Sequence, residues 1–134
     1  MHEKRSYCFA RSAGGDRGRV SLLAARVGVP ASVVGWPDRW LWAALTAEAA
    51  GVPCRGEGVD PDDWHPVAEE ITPAGAAALC VGCPLVAPCL TWAMRHAESG
   101  VWGGTTETER VAAHRNARRA ARRAVASSAV GEVA

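Results

Sequence analysis

A long apolar run, strand-like alternation and a second Cys-x-x-Cys are all missing from this chain of 134 residues. No stretch approaches about 18 consecutive apolar residues, and the first 20 residues carry Lys4, Arg5, Arg11, Asp16, Arg17 and Arg19. Neither a membrane span nor a secretory leader is expected, which points to a reducing cytoplasm. Alternation of apolar and polar residues is almost absent, so a thioredoxin-type βαβ pattern has no support. Phenylalanine and tyrosine occur once each, against six tryptophans. Trp36, Trp40, Trp42 and Trp92 read as core. Net charge is small as well, at +1.

That sum conceals three blocks. Residues 1–35 hold six basic and two acidic side chains, residues 48–70 hold seven acids against Arg55 alone, and residues 105–134 hold six arginines against three glutamates. Basic ends around an acidic middle would let the ends meet a polyanion. The length fits one domain with tails. Residues 36–104 fall below the ~70 to 80 at which an apolar core suffices alone, so a staple is expected.

Cysteines are the obvious staple. Cys80-Val81-Gly82-Cys83-Pro84-Leu85-Val86-Ala87-Pro88-Cys89 spaces three thiols as Cys-x2-Cys-x5-Cys, and Cys54 precedes them across a gap of 25 residues. Four thiols able to converge mean a metal centre or disulfides. Zinc ribbons ordinarily use two short Cys-x-x-Cys hairpins and only one is present, whereas a proline directly after a ligand recurs in iron-sulfur runs. Spacing leaves iron-sulfur cluster, zinc and a thiol or disulfide arrangement all open. A bridge across the long gap is worth about 3 to 4 kcal/mol, whereas Cys-rich zinc sites bind with about 10 to 16 kcal/mol, which favours metal over bare disulfides. Cys8 reads as an incidental thiol, and His65, His96 and His114 are weak ligand candidates beside four cysteines.

The remaining elements are helical. Residues 1–35 read as a loosely ordered extension with a short helix possible over Val20 to Val27. A first helix starts near Pro37 and runs to Ala50, closed by Gly51; its apolar residues cover most of its surface, so packing on more than one side is expected. Pro53 to Pro66 reads as loop. Thr72-Pro73 opens a helix over Pro73 to Leu79, and Leu85 to Ser99 forms the next, capped by Gly100 and divided into a Cys89-Trp92-Ala93-His96 face and a Leu90-Ala93-Met94-Ala97 face. Gly100-Val101-Trp102-Gly103-Gly104 is a glycine-rich turn, followed by the capping-box spacing Thr106-x-x-Glu109. The last helix runs toward Val125, with Arg115, Arg118, Arg119, Arg122 and Arg123 in an arc of about 140° and alanines elsewhere, so it should stand off the domain. The fold class is a small all-α bundle of three to four short helices around the four cysteines, divided as 1–35, 36–104 and 105–134.

Together, the cysteine spacing, the Gly-Val-Trp-Gly-Gly turn and the basic C-terminal segment resemble the WhiB-like proteins of actinobacteria and their phages, over about Trp36 to Arg119. The resemblance implies a transcriptional regulator with one 4Fe-4S cluster per chain on Cys54, Cys80, Cys83 and Cys89. It also implies that residues 100–104, with Trp102 near the cluster and Trp64, meet the C-terminal region of the primary sigma factor, the chain acting as a monomer in that complex. DNA contact would fall to Arg115, Arg118, Arg119, Arg122 and Arg123, and a redox or nitric oxide response to the cluster. Two departures stand out: Trp64-His65-Pro66 places histidine where relatives carry an aromatic residue, and Glu109-Arg110 leads into Val111-Ala112-Ala113-His114 instead of dense arginine. The competing classes are a structural zinc module and a thiol-disulfide reductase using Cys80 and Cys83 in the metal-free form.

Overall fold

A computed structural model describes residues 31–66 and 70–131. Five α-helices follow one another among them: α1 (Ala31–Val34), α2 (Asp38–Thr46), α3 (Pro73–Leu79), α4 (Val86–His96) and α5 (Glu107–Gly131). Two 3-10 turns, Pro53–Arg55 and Pro61–Trp64, link α2 to α3. No strand occurs among the described residues, where the pairing of Trp102 with Thr105 is an isolated bridge. The fold is thus the small all-α one expected. None of these helices is long and apolar enough to cross a membrane. Cys8 and the helix expected over Val20 to Val27 lie outside the described residues.

The core forms around α4, against which α1 and α2 pack. Its Leu90, Ala93 and Met94, spaced three and four residues apart, are buried and meet Val33 and Val34 of α1 and Leu41 and Leu45 of α2 in the apolar interior. Fully burying a leucine such as Leu41 or Leu90 contributes about 1.5 to 3 kcal/mol. Thr91 is equally inaccessible, and its hydroxyl donates to Ala87 O at 2.9 Å. Arg95 fastens the layers together: its guanidinium donates to Asp38 Oδ1 at 3.0 Å and to Val34 O at 2.7 Å. The first contact uses the acid at the start of α2, and the second satisfies a carbonyl at the end of α1.

Several expected boundaries move. The extension expected over 1–35 includes the helical Ala31–Val34, whose Val33 and Val34 are in the core. α2 stops at Thr46, not Ala50, because Ala47 turns extended (φ −64°, ψ 148°). Nor is α2 packed all round: Leu41 and Leu45 form its buried side, while Trp40 and Trp42 are 53% and 54% exposed. Trp36 meets Trp40 edge-on at 6.3 Å, and Trp42 leans on Trp92, itself stacked on His96 at 3.9 Å. α4 ends at His96, capped by Ala97 in the left-handed region (φ 50°) and not by Gly100.

Other punctuation is as the sequence predicts. The Thr72 hydroxyl accepts from Gly75 N–H and Pro73 takes the first position of α3. At α5 the capping box closes both ways: Glu109 N–H donates to the Thr106 hydroxyl at 3.1 Å, and Thr106 N–H donates to Glu109 Oε2 at 2.9 Å. The start of α5 docks through Arg110 and through His114, whose Nε2 donates to Met94 O at 3.0 Å. From Arg118 to Gly131 every residue is exposed. At 1.5 Å per residue this part projects by about 20 Å.

Candidate metal centre

All four cysteines of the Cys54–Cys89 stretch sit where a helical element starts, turns or stops. Cys54 is in the 3-10 turn Pro53–Arg55 and is exposed, whereas Cys80 is the residue on which α3 ends. A β-turn follows, closed by Cys83 N–H to Cys80 O at 3.1 Å, with Gly82 at φ 74° in the third position that demands a positive angle. Cys89 lies in the first turn of α4, its N–H donating to Leu85 O at 2.9 Å, just after the buried Pro88. None of these four is bridged.

The other three thiols all bear on Cys89. Burial pushes the Cys89 thiol up to about 12; a hydrogen bond from Gly103 N–H opposes the shift, and charge on Cys80, Cys54 and Cys83 adds to it. Burial likewise raises Cys80, against hydrogen bonds from Gly104 N–H and the Trp64 indole and with repulsion from Cys83 and Cys54. Cys83 Sγ accepts from Leu85 N–H at 3.4 Å. Cys89 therefore senses the other three thiols. Yet no three His, Cys, Asp or Glu side chains among the described residues close to single-ion spacing. The four thiols, from the first 3-10 turn, the end of α3, the β-turn and the first turn of α4, form a cysteine cradle.

The glycine-rich turn packs against this cradle at Gly104, where a Cβ would stand 3.8 Å from Cys80 Cβ. Trp102 and Thr105 exchange backbone hydrogen bonds at 3.2 and 3.0 Å, and Gly103 and Gly104 between them have φ 54° and 71°, the double positive pair of a tight type I′ turn. A Cβ on Gly103 would stand 2.6 Å from Leu90 Cβ and 2.7 Å from Leu90 N, so only glycine lets the turn lie on α4. Gly100 is equally confined, with Trp64 O and His65 Nδ1 each 2.5 Å from where its Cβ would be. Val101 N–H donates to Trp64 O at 2.6 Å, which ties the acidic loop to the turn.

The expected partner-facing residues are thus placed unevenly. Val101 is buried, and Trp102 is partly covered with its indole N–H donating to Ser99 O at 2.8 Å, so flanking glycines do not leave it fully accessible. Trp64 directs its N–H to Cys80. Trp92 and His96, grouped with Cys89 on one face by helical period, engage α2 instead: His96 Nε2 lies 3.1 Å from Asp38 Oδ2. Arg115, Arg118, Arg119, Arg122 and Arg123 are all exposed on α5, and the first four line a groove of about 570 Å³ with Glu98 and Glu107.

Sequence reasoning missed Arg110. It is 3% exposed, and its guanidinium donates to Thr105 O, Thr105 Oγ1, Glu98 O and Gly100 O at 2.8, 2.9, 3.0 and 2.6 Å. Desolvation lowers its pKa, while the charges of Glu107, Cys89, Glu109 and Glu98 act in the other direction. Nothing in the composition separates this arginine from the five that follow. Only its place one turn inside the capping box could have pointed to it.

Residues 49–113 match the family model described as Transcription factor WhiB, a span containing all four cysteines, the turn and Arg110 but not α1 or α2. Transcriptional regulator WhiB1 of Mycobacterium tuberculosis (strain H37Rv) is 42% identical over 78 residues, covering 54% of this chain and 90% of the relative. Probable transcriptional regulator WhiB7 of the same strain is 49% identical over 49 residues, 34% of this chain and 49% of the relative. No solved structure matches the chain. With nearly the whole of one relative covered and the match running through the cysteine cradle, the chain belongs to the WhiB family of transcriptional regulators.

Proposed function

We propose that this regulator holds one 4Fe-4S cluster on Cys54, Cys80, Cys83 and Cys89, and that the state of this site governs its contact with the C-terminal region of the primary sigma factor and with DNA. The observation carrying this reading is the cradle itself: charge on Cys54, Cys80 and Cys83 bears on Cys89, Cys83 Sγ accepts from Leu85 N–H, and the glycine turn packs at Gly104 against Cys80. The donor set fits the group, since cube-type clusters take four thiolates and are tuned by N–H hydrogen bonds to sulfur. When bound, such a cluster supplies one-electron redox chemistry and a target for oxygen or nitric oxide.

The protein's own contribution follows from the residues. Cys80 and Cys89 are held neutral by burial until metal replaces their protons, so loading releases protons and depends on pH. Gly103 and Gly104 lie against Leu90 and Cys80, and the same turn carries the partly exposed Trp102. Loss of the sulfur positions would therefore disturb the partner-facing turn first. Exposed arginines on the projecting part of α5 add phosphate attraction without evident base reading, so promoter choice would come from the partner.

The test is a Cys80→Ser chain purified without oxygen alongside the native one. Native protein should be brown and retain the sigma factor fragment on a column, and the variant should lose both colour and partner. Retention of the partner by a colourless variant would refute control by the cysteine site, and stoichiometric zinc in the native chain would favour a structural module.

A further inference from the structure

We infer that Arg110 is the positioning residue that couples the cysteine cradle to the arginine helix, acting as a latch on the Gly-Val-Trp-Gly-Gly turn. The geometry is specific. A single buried guanidinium, borne by the first turn of α5, spans Glu98 O beyond the end of α4, Gly100 O at the start of the glycine turn and Thr105 O and Oγ1 at its close. Every acceptor but the Thr105 hydroxyl is a backbone carbonyl, and only a planar fork with several donors can reach such a set together.

The segment so clamped lies directly on the cysteine-bearing elements: a Cβ at Gly103 would stand 2.6 Å from Leu90, the neighbour of Cys89, and one at Gly104 would stand 3.8 Å from Cys80 Cβ. Arg110 thus fixes how the turn sits against both cysteines, and it does so from the helix that carries Arg115 to Arg123. Thr105 completes the circuit: it is fully buried, and its hydroxyl donates to Trp102 O at 2.7 Å while accepting from Arg110 at 2.9 Å. The Arg110 charge also lies within electrostatic reach of Cys89. Turn shape and the root of α5 are therefore parts of one hydrogen-bonded unit that packs against Cys80 and Leu90. Resting on the cluster reading above, the inference adds that disturbance at the sulfurs reaches the arginine helix through this latch.

Amide exchange read by mass spectrometry over residues 98–106, on the anaerobically prepared full chain, tests it. Arg110→Met should speed exchange there by at least about tenfold, while α4 keeps native protection. Arg110→Lys should restore charge but not the four-way clamp, leaving exchange fast while bringing the midpoint potential of the loaded chain back toward native; Arg110→Met should lower that potential, because removing a nearby positive charge disfavours adding an electron. Native-like exchange in Arg110→Met would overturn the latch. Equal potentials in the Met and Lys variants would remove the charge role. Should Arg110→Met fail to fold, Thr105→Val, which removes one acceptor at constant volume, and Arg110→Lys carry the same exchange comparison, and native exchange in both would overturn the proposal. If the native chain takes up no iron, the cluster reading fails, whereas the exchange result still decides the latch.

Discussion

Gly103 is the residue on which the site's geometry is least forgiving. With φ 54° and the backbone of Leu90 within 2.7 Å of any added Cβ, Gly103→Ala combines left-handed strain with overpacking and should cost about 2 to 4 kcal/mol, read as a lowered denaturant midpoint. Gly82→Ala is the control: its φ is 74° but nothing lies within 4 Å, so strain of about 1 to 2 kcal/mol acts alone. Protonation makes a second test at this scale. Cys89 is raised from 9.0 to about 12, so between those values the unfolded chain has lost a proton that the folded chain keeps. Stability of the metal-free protein should thus be complete below about pH 9 and fall as pH rises toward 12. Cys89→Ala should flatten that decline in urea titrations across pH, and a slope unchanged by the substitution would contradict the burial of this thiol.

Among the elements, α5 is the most legible in sequence and the most open to test. Its capping box could be read from Thr106-x-x-Glu109 because local side chain to backbone bonds need only the right spacing. Thr106→Ala should lower stability by about 1 kcal/mol in thermal melts, while leaving the exposed half of the helix unaltered. Converting Arg118, Arg119, Arg122 and Arg123 to glutamine should flatten the salt dependence of DNA binding by up to about three to four logarithmic units of slope, with the cysteine site untouched. An unchanged slope would remove α5 from DNA contact. α2 was less legible for a physical reason: a helix carrying Trp40, Leu41, Trp42 and Leu45 is apolar on nearly every side, so periodicity cannot choose the buried one. Packing against α4 chose Leu41 and Leu45, and the tryptophans paired with one another at the surface. The end of α4 eluded punctuation rules because Ala97, not a glycine, takes the left-handed cap.

At the scale of the molecule, sequence spacing singles out side chains without saying how they meet. Cys54, Cys80, Cys83 and Cys89 were recognisable by spacing, and so were the turn at 100–104 and the stripe on α5. What spacing could not reveal is that the turn packs on Leu90 and Cys80 at Gly103 and Gly104, or that Arg110 clamps the turn. Close backbone approach carries no sequence signature, and one buried arginine looks like its solvated neighbours until the fold closes over it. α1 and α2, outside the span of the family match, are joined to the rest through Arg95 and the α4 core. The decisive measurement is iron and acid-labile sulfide per chain after purification without oxygen. About four of each is expected, falling together when any of the four cysteines is replaced by serine; a chain that folds with neither, or with one zinc in their place, would contradict the account.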